Sequence, residues 1–187
     1  MTRSSTLGKK PGRPNSSGAI LTSPAILTKL SEIFLHPGQK HVGSGSAILK
    51  MILGSCVGVF LFDSRLRIGG ATHFMLPFHG NGQLSPRYGD VAIPALLEQL
   101  CKLGSDYRDV QAKVYGGASM LSALRGLGSD QFGQIGRRNV ESAFTILLKA
   151  SITVVEKDVL GERGRKVSMI SDTGAVAMEY VSNGNGN

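Results

Sequence analysis

The chain has 187 residues, 41% of them hydrophobic, and a mean hydropathy of +0.03, the profile of one ordinary core-forming soluble domain and not of a disordered or fibrous chain. Its two cysteines, Cys56 and Cys101, exclude a disulfide framework and lack the paired spacing of a zinc site. The four histidines form no metal-binding pair, so neither metal nor cofactor is expected.

The net charge of +8 is unevenly placed. Arg3, Lys9, Lys10, Arg13 and Lys29 precede the first acid, Glu32, and without these five the remaining 16 of 21 bases face 13 acids. Residues 1–30 therefore read as a flexible basic leader, residues 31–182 as the domain and 183–187 as a flexible tail. The nearly balanced domain lacks the aromatic-interleaved basic stripe of a specific nucleic-acid reader. A signal peptide is not expected, because Thr22-Ser23-Pro24 interrupts the apolar run from Ala19 to Leu27. The longest apolar run, Met51 to Phe62, contains two glycines and falls short of the roughly 20 residues of a membrane span. A cytoplasmic protein without membrane insertion is the expectation, in keeping with free cysteines in a reducing compartment.

In chain order, Pro37-Gly38 marks a turn at the start of the folded unit. An apolar segment over 47–52 leads into Gly54-Ser55-Cys56. The β-branched and aromatic run 57–62 predicts a buried strand, and 68–76 a second one in an antiparallel hairpin with it. Residues 78–89 form a long polar loop, and Asp90 is placed to cap a helix over 91–103 that Gly104 ends. A strand over 110–115 runs into Gly116-Gly117-Ala118-Ser119. The apolar positions 140, 143, 144, 147 and 148 predict an amphipathic helix over 137–149, with Cys101 a packing residue of the first helix. Short strands over 152–155, 167–170 and 175–181 close the chain in a hairpin pattern.

Cys56 ends a short glycine turn, where a sharp bend exposes the sulfur beside free backbone N–H groups. That setting suits a nucleophile with an oxyanion site, and equally a small buried hydrophobe. His73 lies in an apolar strand that the hairpin brings toward Cys56. An imidazole there can take the thiol proton, or can be a satisfied core histidine. Gly116, Gly117 and Ser119 read either as a loop that approaches substrate or as a tight turn.

The blocks Leu53-Gly-Ser-Cys-Val-Gly-Val59 and Gly69-Gly-Ala-Thr-His-Phe-Met-Leu-Pro77 resemble the CheD family of chemoreceptor glutamine deamidases. So do Phe34–Gly38, Arg87–Asp90, Lys113–Met120, Ile135–Glu141 and Asp158–Lys166, in the same order. The resemblance covers roughly residues 33–181. It implies an α+β fold, a β-sandwich or mixed sheets flanked by helices, related to the deamidating toxin-type cysteine hydrolases. It also implies Cys56 as nucleophile, His73 as its base, Ser55 in the oxyanion site, methyl-accepting chemotaxis receptors as substrates and a CheC-type phosphatase as a partner. At one position the chain departs from the family, which has Thr or Ser six residues before the cysteine where this sequence has Lys50. A hydroxyl can accept the imidazole N–H, but an ammonium cannot. Lys50, Thr72 and Ser46 are thus the candidates to inspect around His73, and a docking module without catalysis is the alternative that Lys50 keeps open.

Overall fold

The computed structural model describes residues 30–43, 45–119 and 130–182. The proposed leader, apart from Leu30, and the proposed tail lie outside them. Strand β1 (Ser31–Phe34) is followed by β2 (Lys40–Gly43), β3 (Ala47–Leu53), β4 (Val57–Asp63) and β5 (Ile68–Phe74). Then come α1 (Gly89–Lys102), β6 (Val110–Gly116), α2 (Asp130–Lys149), β7 (Thr153–Val159), β8 (Arg165–Ile170) and β9 (Val176–Tyr180). The strands make two mixed sheets, a four-stranded one ordered β1-β3-β8-β9 and a five-stranded one ordered β2-β5-β4-β6-β7.

The molecule is layered, with the small sheet packed on one face of the large sheet and both helices on the other. Strand β4 shows why. Its residues Val57, Val59 and Leu61 join the helix-side core with Leu96, Leu100, Val140 and Leu147, whereas Phe60, on the alternate face, joins Leu49, Met51, Tyr115, Val167 and Met169 between the sheets. A strand covered on both faces is apolar throughout, as the sequence Val-Gly-Val-Phe-Leu-Phe of β4 is. In the small sheet only one face is covered, so β3 alternates: Ala47, Leu49, Met51 and Leu53 are buried, and Ile48, Lys50 and Ile52 are not.

The expected hairpin is present, with β4 and β5 antiparallel. The expected C-terminal pattern divides between the sheets: β8 and β9 form a hairpin in the small sheet, while β7 runs parallel to β6 in the large one. Strands β1 and β2, not anticipated as strands, edge the two sheets. Helix α1 begins at Gly89 with Tyr88 as its N-cap and no side-chain cap. The carboxylate of Asp90 instead accepts the His79 N–H at 3.2 Å and bonds the His79 ring at 2.7 Å, so the anticipated Asp90 cap is corrected. Gly104, at φ +101°, follows the C-terminus of α1 as expected. Cys101 packs, partly buried, against the helix-side core.

Phe60 is 1% exposed and meets Tyr115 edge-on, with ring centroids 5.7 Å apart, at the centre of the sheet-on-sheet layer. Phe60→Ala is expected to lower stability by about 3–5 kcal/mol, measured as a lower urea midpoint at unchanged slope.

Candidate active site

Register brings Cys56 and His73 together. Gly58 of β4 lies directly opposite His73 of β5. The half-buried Cys56 itself lies in the bend just before β4 and packs against the layer between the sheets, which puts it on the side of the large sheet that His73 faces. A Cβ on residue 58 would lie 2.4 Å from the Met51 Sδ, on the face that Cys56 and His73 share.

His73 is 2% exposed. Its Nδ1 lies 3.0 Å from the Leu35 carbonyl oxygen, which can only accept, so Nδ1 carries the hydrogen and Nε2 is the unprotonated nitrogen. Nε2 is buried and has no hydrogen-bond partner among the described residues. The Leu35 carbonyl is available because the chain crosses between sheets there. After β1 the Leu35 N–H still donates to Lys50 O, at 2.8 Å. The chain then turns at Gly38, whose N–H donates to His73 O at 2.7 Å, while the His73 N–H donates to Gln39 O at 3.0 Å. Backbone thus grips the histidine on three sides.

None of the candidate orienting side chains reaches the ring. The Lys50 ammonium pairs with Glu32 at 2.7 Å on the uncovered face of the small sheet, opposite in direction to Leu49 and Met51. The Thr72 hydroxyl donates to Gln39 O at 3.3 Å, its strand alternation sending it to the other face from His73. The Ser46 hydroxyl bonds Asp172. Leu35, which no side-chain argument points to, supplies the orienting acceptor.

The Cys56 loop is held from behind. Cys56 O accepts from Gly117 N and Gly54 O from Ala118 N, both at 2.8 Å, and Ser55 O accepts from Asn139 Nδ2 at 3.0 Å. Gly116, at φ +108°, comes so close that a Cβ there would lie 2.2 Å from Cys56 O, so the close approach that Gly116-Gly117 permits is to this loop. Ser119 N donates to Gly161 O at 2.7 Å. With these carbonyls tied back, neither the Ser55 nor the Cys56 amide is engaged by another described residue.

Burial pushes the Cys56 thiol above its ordinary value, opposed by its own backbone N–H. Burial lowers the His73 imidazole, the Leu35 bond opposing and His36 adding to the fall. Both shifts favour the uncharged forms, a neutral thiol and a neutral imidazole. Among the described residues no three His, Cys, Asp or Glu side chains cluster as metal ligands, and no described helix is long and apolar enough to cross a membrane.

A family model described as CheD chemotactic sensory transduction matches residues 75–180. A protein of Sulfurimonas denitrificans, named a probable chemoreceptor glutamine deamidase CheD, is 38% identical over 79% of this chain and 93% of its own. The chain belongs to the CheD family. Relatives of the same name come from Trichlorobacter lovleyi (41% identical over 80% of this chain and 90% of theirs) and Archaeoglobus fulgidus (37%, over 82% and 96%). A crystal structure of Bacillus licheniformis hypothetical protein YfiH aligns with a TM-score of 0.42 at 14% identity, over 66% of this chain and 51% of that one, too slight a likeness to bear on ancestry or chemistry.

Because Lys50 and Glu32 form an exposed pair, Lys50→Thr is expected to change stability by less than about 1 kcal/mol and the Cys56 alkylation rate by less than about twofold. Thermal unfolding and iodoacetamide kinetics check both.

Proposed function

We propose that this CheD-family chain is a protein-glutamine deamidase of chemotaxis receptors, with Cys56 as nucleophile and His73 as general base and acid. The observation that carries the reading is the His73 ring, its Nδ1 tied to the Leu35 carbonyl and its buried Nε2 without a partner among the described residues, on the sheet face that it shares with Cys56.

In the proposed cycle the Cys56 S–H proton passes to His73 Nε2 as the sulfur attacks the side-chain carboxamide carbon of a receptor glutamine. The carboxamide oxygen gains the negative charge, and the Ser55 and Cys56 amides are the donors placed to receive it. Nε2 then protonates the departing ammonia, leaving a thioester on Cys56. Water gives a proton to Nε2, attacks the thioester and releases glutamate, and the thiol regains its proton from the ring. One amide and one water become a carboxylate and ammonium without oxidant, reductant or nucleotide.

The orienting role that the family resemblance gives to a hydroxyl falls here to a backbone carbonyl, so the lysine at position 50 gives no reason to prefer docking without catalysis. On the resemblance alone, the proposal extends to a CheC-type phosphatase as a second partner, to kinship with the deamidating toxin-type hydrolases and to a cytoplasmic setting. The two free cysteines are compatible with a reducing compartment.

Incubation with a purified receptor cytoplasmic fragment is expected to raise its intact mass by about one dalton per converted glutamine, with ammonia released in equal amount, and Cys56→Ala should abolish both. The His73 value is depressed below 6.5 and the neutral ring is the active form, so kcat/KM should rise with pH through a midpoint below 6.5 and stay flat through neutrality. No conversion by the folded wild-type chain would reject the reading.

A further inference from the structure

Asn139 lies on α2, in a motif, Gly136-Arg-Arg-Asn139, that the proposed mechanism leaves unused. Its side chain is 0% exposed. One nitrogen, Nδ2, donates both to Ser55 O at 3.0 Å and to Met75 O at 2.9 Å. The first carbonyl belongs to the residue before the nucleophile, the second to the residue two beyond the base. Asn139 is therefore a single-atom tie between the cysteine loop and the end of the histidine strand.

Two further observations favour a role beyond packing. Asn139 Oδ1 is buried and has no hydrogen-bond partner among the described residues, an unfavourable arrangement that an apolar side chain would avoid. The helix is also held unusually close to this point. A Cβ on Gly136, one turn before Asn139, would lie 2.5 Å from Gly117 O, and Gly117 is the residue whose N–H holds Cys56 O. The same short stretch of α2 thus presses on both clamps of the 54–56 loop.

We propose that Asn139 is a positioning residue of the reaction: its double donation turns the Ser55 carbonyl away from the site, leaving the following Cys56 amide aimed at the sulfur and the oxyanion, and keeps Cys56 in register with His73. The inference rests on the deamidase reading for its chemistry. It also makes a claim about the resting thiol, since the Cys56 backbone N–H already favours the thiolate against burial and a loosened loop would lose that help.

The test uses the full chain carrying Cys101→Ser, so that Cys56 alone reports. Asn139→Ala, Asn139→Ser and Leu147→Ala are compared by thermal unfolding, by the pH profile of Cys56 alkylation with iodoacetamide, and by kcat and KM on a receptor cytoplasmic fragment. Leu147 is buried on the same helix, about two turns beyond Asn139, and serves as the control for lost stability alone. Asn139→Ala is expected to raise the alkylation midpoint, to slow alkylation at pH 7 by about fivefold or more, and to lower kcat by about tenfold or more with KM within about threefold. Asn139→Ser, with one donor for two carbonyls, should fall between it and wild type, and decides the matter if Asn139→Ala does not fold. An unchanged alkylation midpoint in the folded Asn139 variant would overturn the proposal, as would equal losses in Leu147→Ala. Alkylation needs no receptor, so absence of glutamine conversion would count against the deamidase reading while the midpoint still decides the role of Asn139.

Discussion

The pairing of β4 with β5, Gly58 against His73, is the constraint on which the site depends. Side chains alternate along a strand, so a slip of one residue would send His73 into the helix-side core and leave Cys56 facing the other layer. The burial pattern makes such a slip costly. Phe74 belongs to the helix-side cluster and Ala71 to the layer between the sheets, and both would change sides together. A hydrophobic pattern selected for packing therefore also fixes a chemical relationship.

Once the register is set, backbone does most of the orienting. A backbone carbonyl or a carboxylate commonly fixes a histidine tautomer, and here the carbonyl of Leu35 does it at the point where the chain passes from the small sheet to the large one. A carbonyl carries no net charge, so it fixes the tautomer without stabilising an imidazolium as strongly as a carboxylate would. Burial then dominates, lowering the imidazole and raising the thiol. In the proposed cycle this makes a neutral pair at rest, with the proton moving only as the sulfur attacks.

Much of this was legible in the residues. The run Val57–Phe62 announced a buried strand and the turn after it a hairpin, while Gly116-Gly117, read as a substrate loop or a tight turn, instead meets the Cys56 loop. Helix α2 followed from its apolar period, although it starts seven residues before the expected position. What was not legible depended on partners distant in sequence. The parallel pairings β1–β3 and β6–β7 have no local signature, and a backbone acceptor such as Leu35 O has no sequence signature at all. Asp90 looked like a helix cap because the His79 ring that engages it is a tertiary partner. Two signals could have been used further. Alternation along 47–53 already sends Lys50 outward from Leu49 and Met51, and Asn139 is a polar residue beside Val140 on the apolar side of an amphipathic helix, where a buried amide calls for partners.

By this geometry the Leu35 carbonyl holds His73 as the neutral tautomer, with hydrogen on Nδ1, and in the proposed cycle Nε2 takes the Cys56 proton. Nitrogen-15 NMR of the imidazole at neutral pH reads this tautomer, with His73→Gln assigning the resonances. One protonated nitrogen, identified as Nδ1, with an Nε2 shift characteristic of an unprotonated ring nitrogen, is the predicted result. Hydrogen on Nε2 alone, or a doubly protonated ring at pH 7, would contradict it.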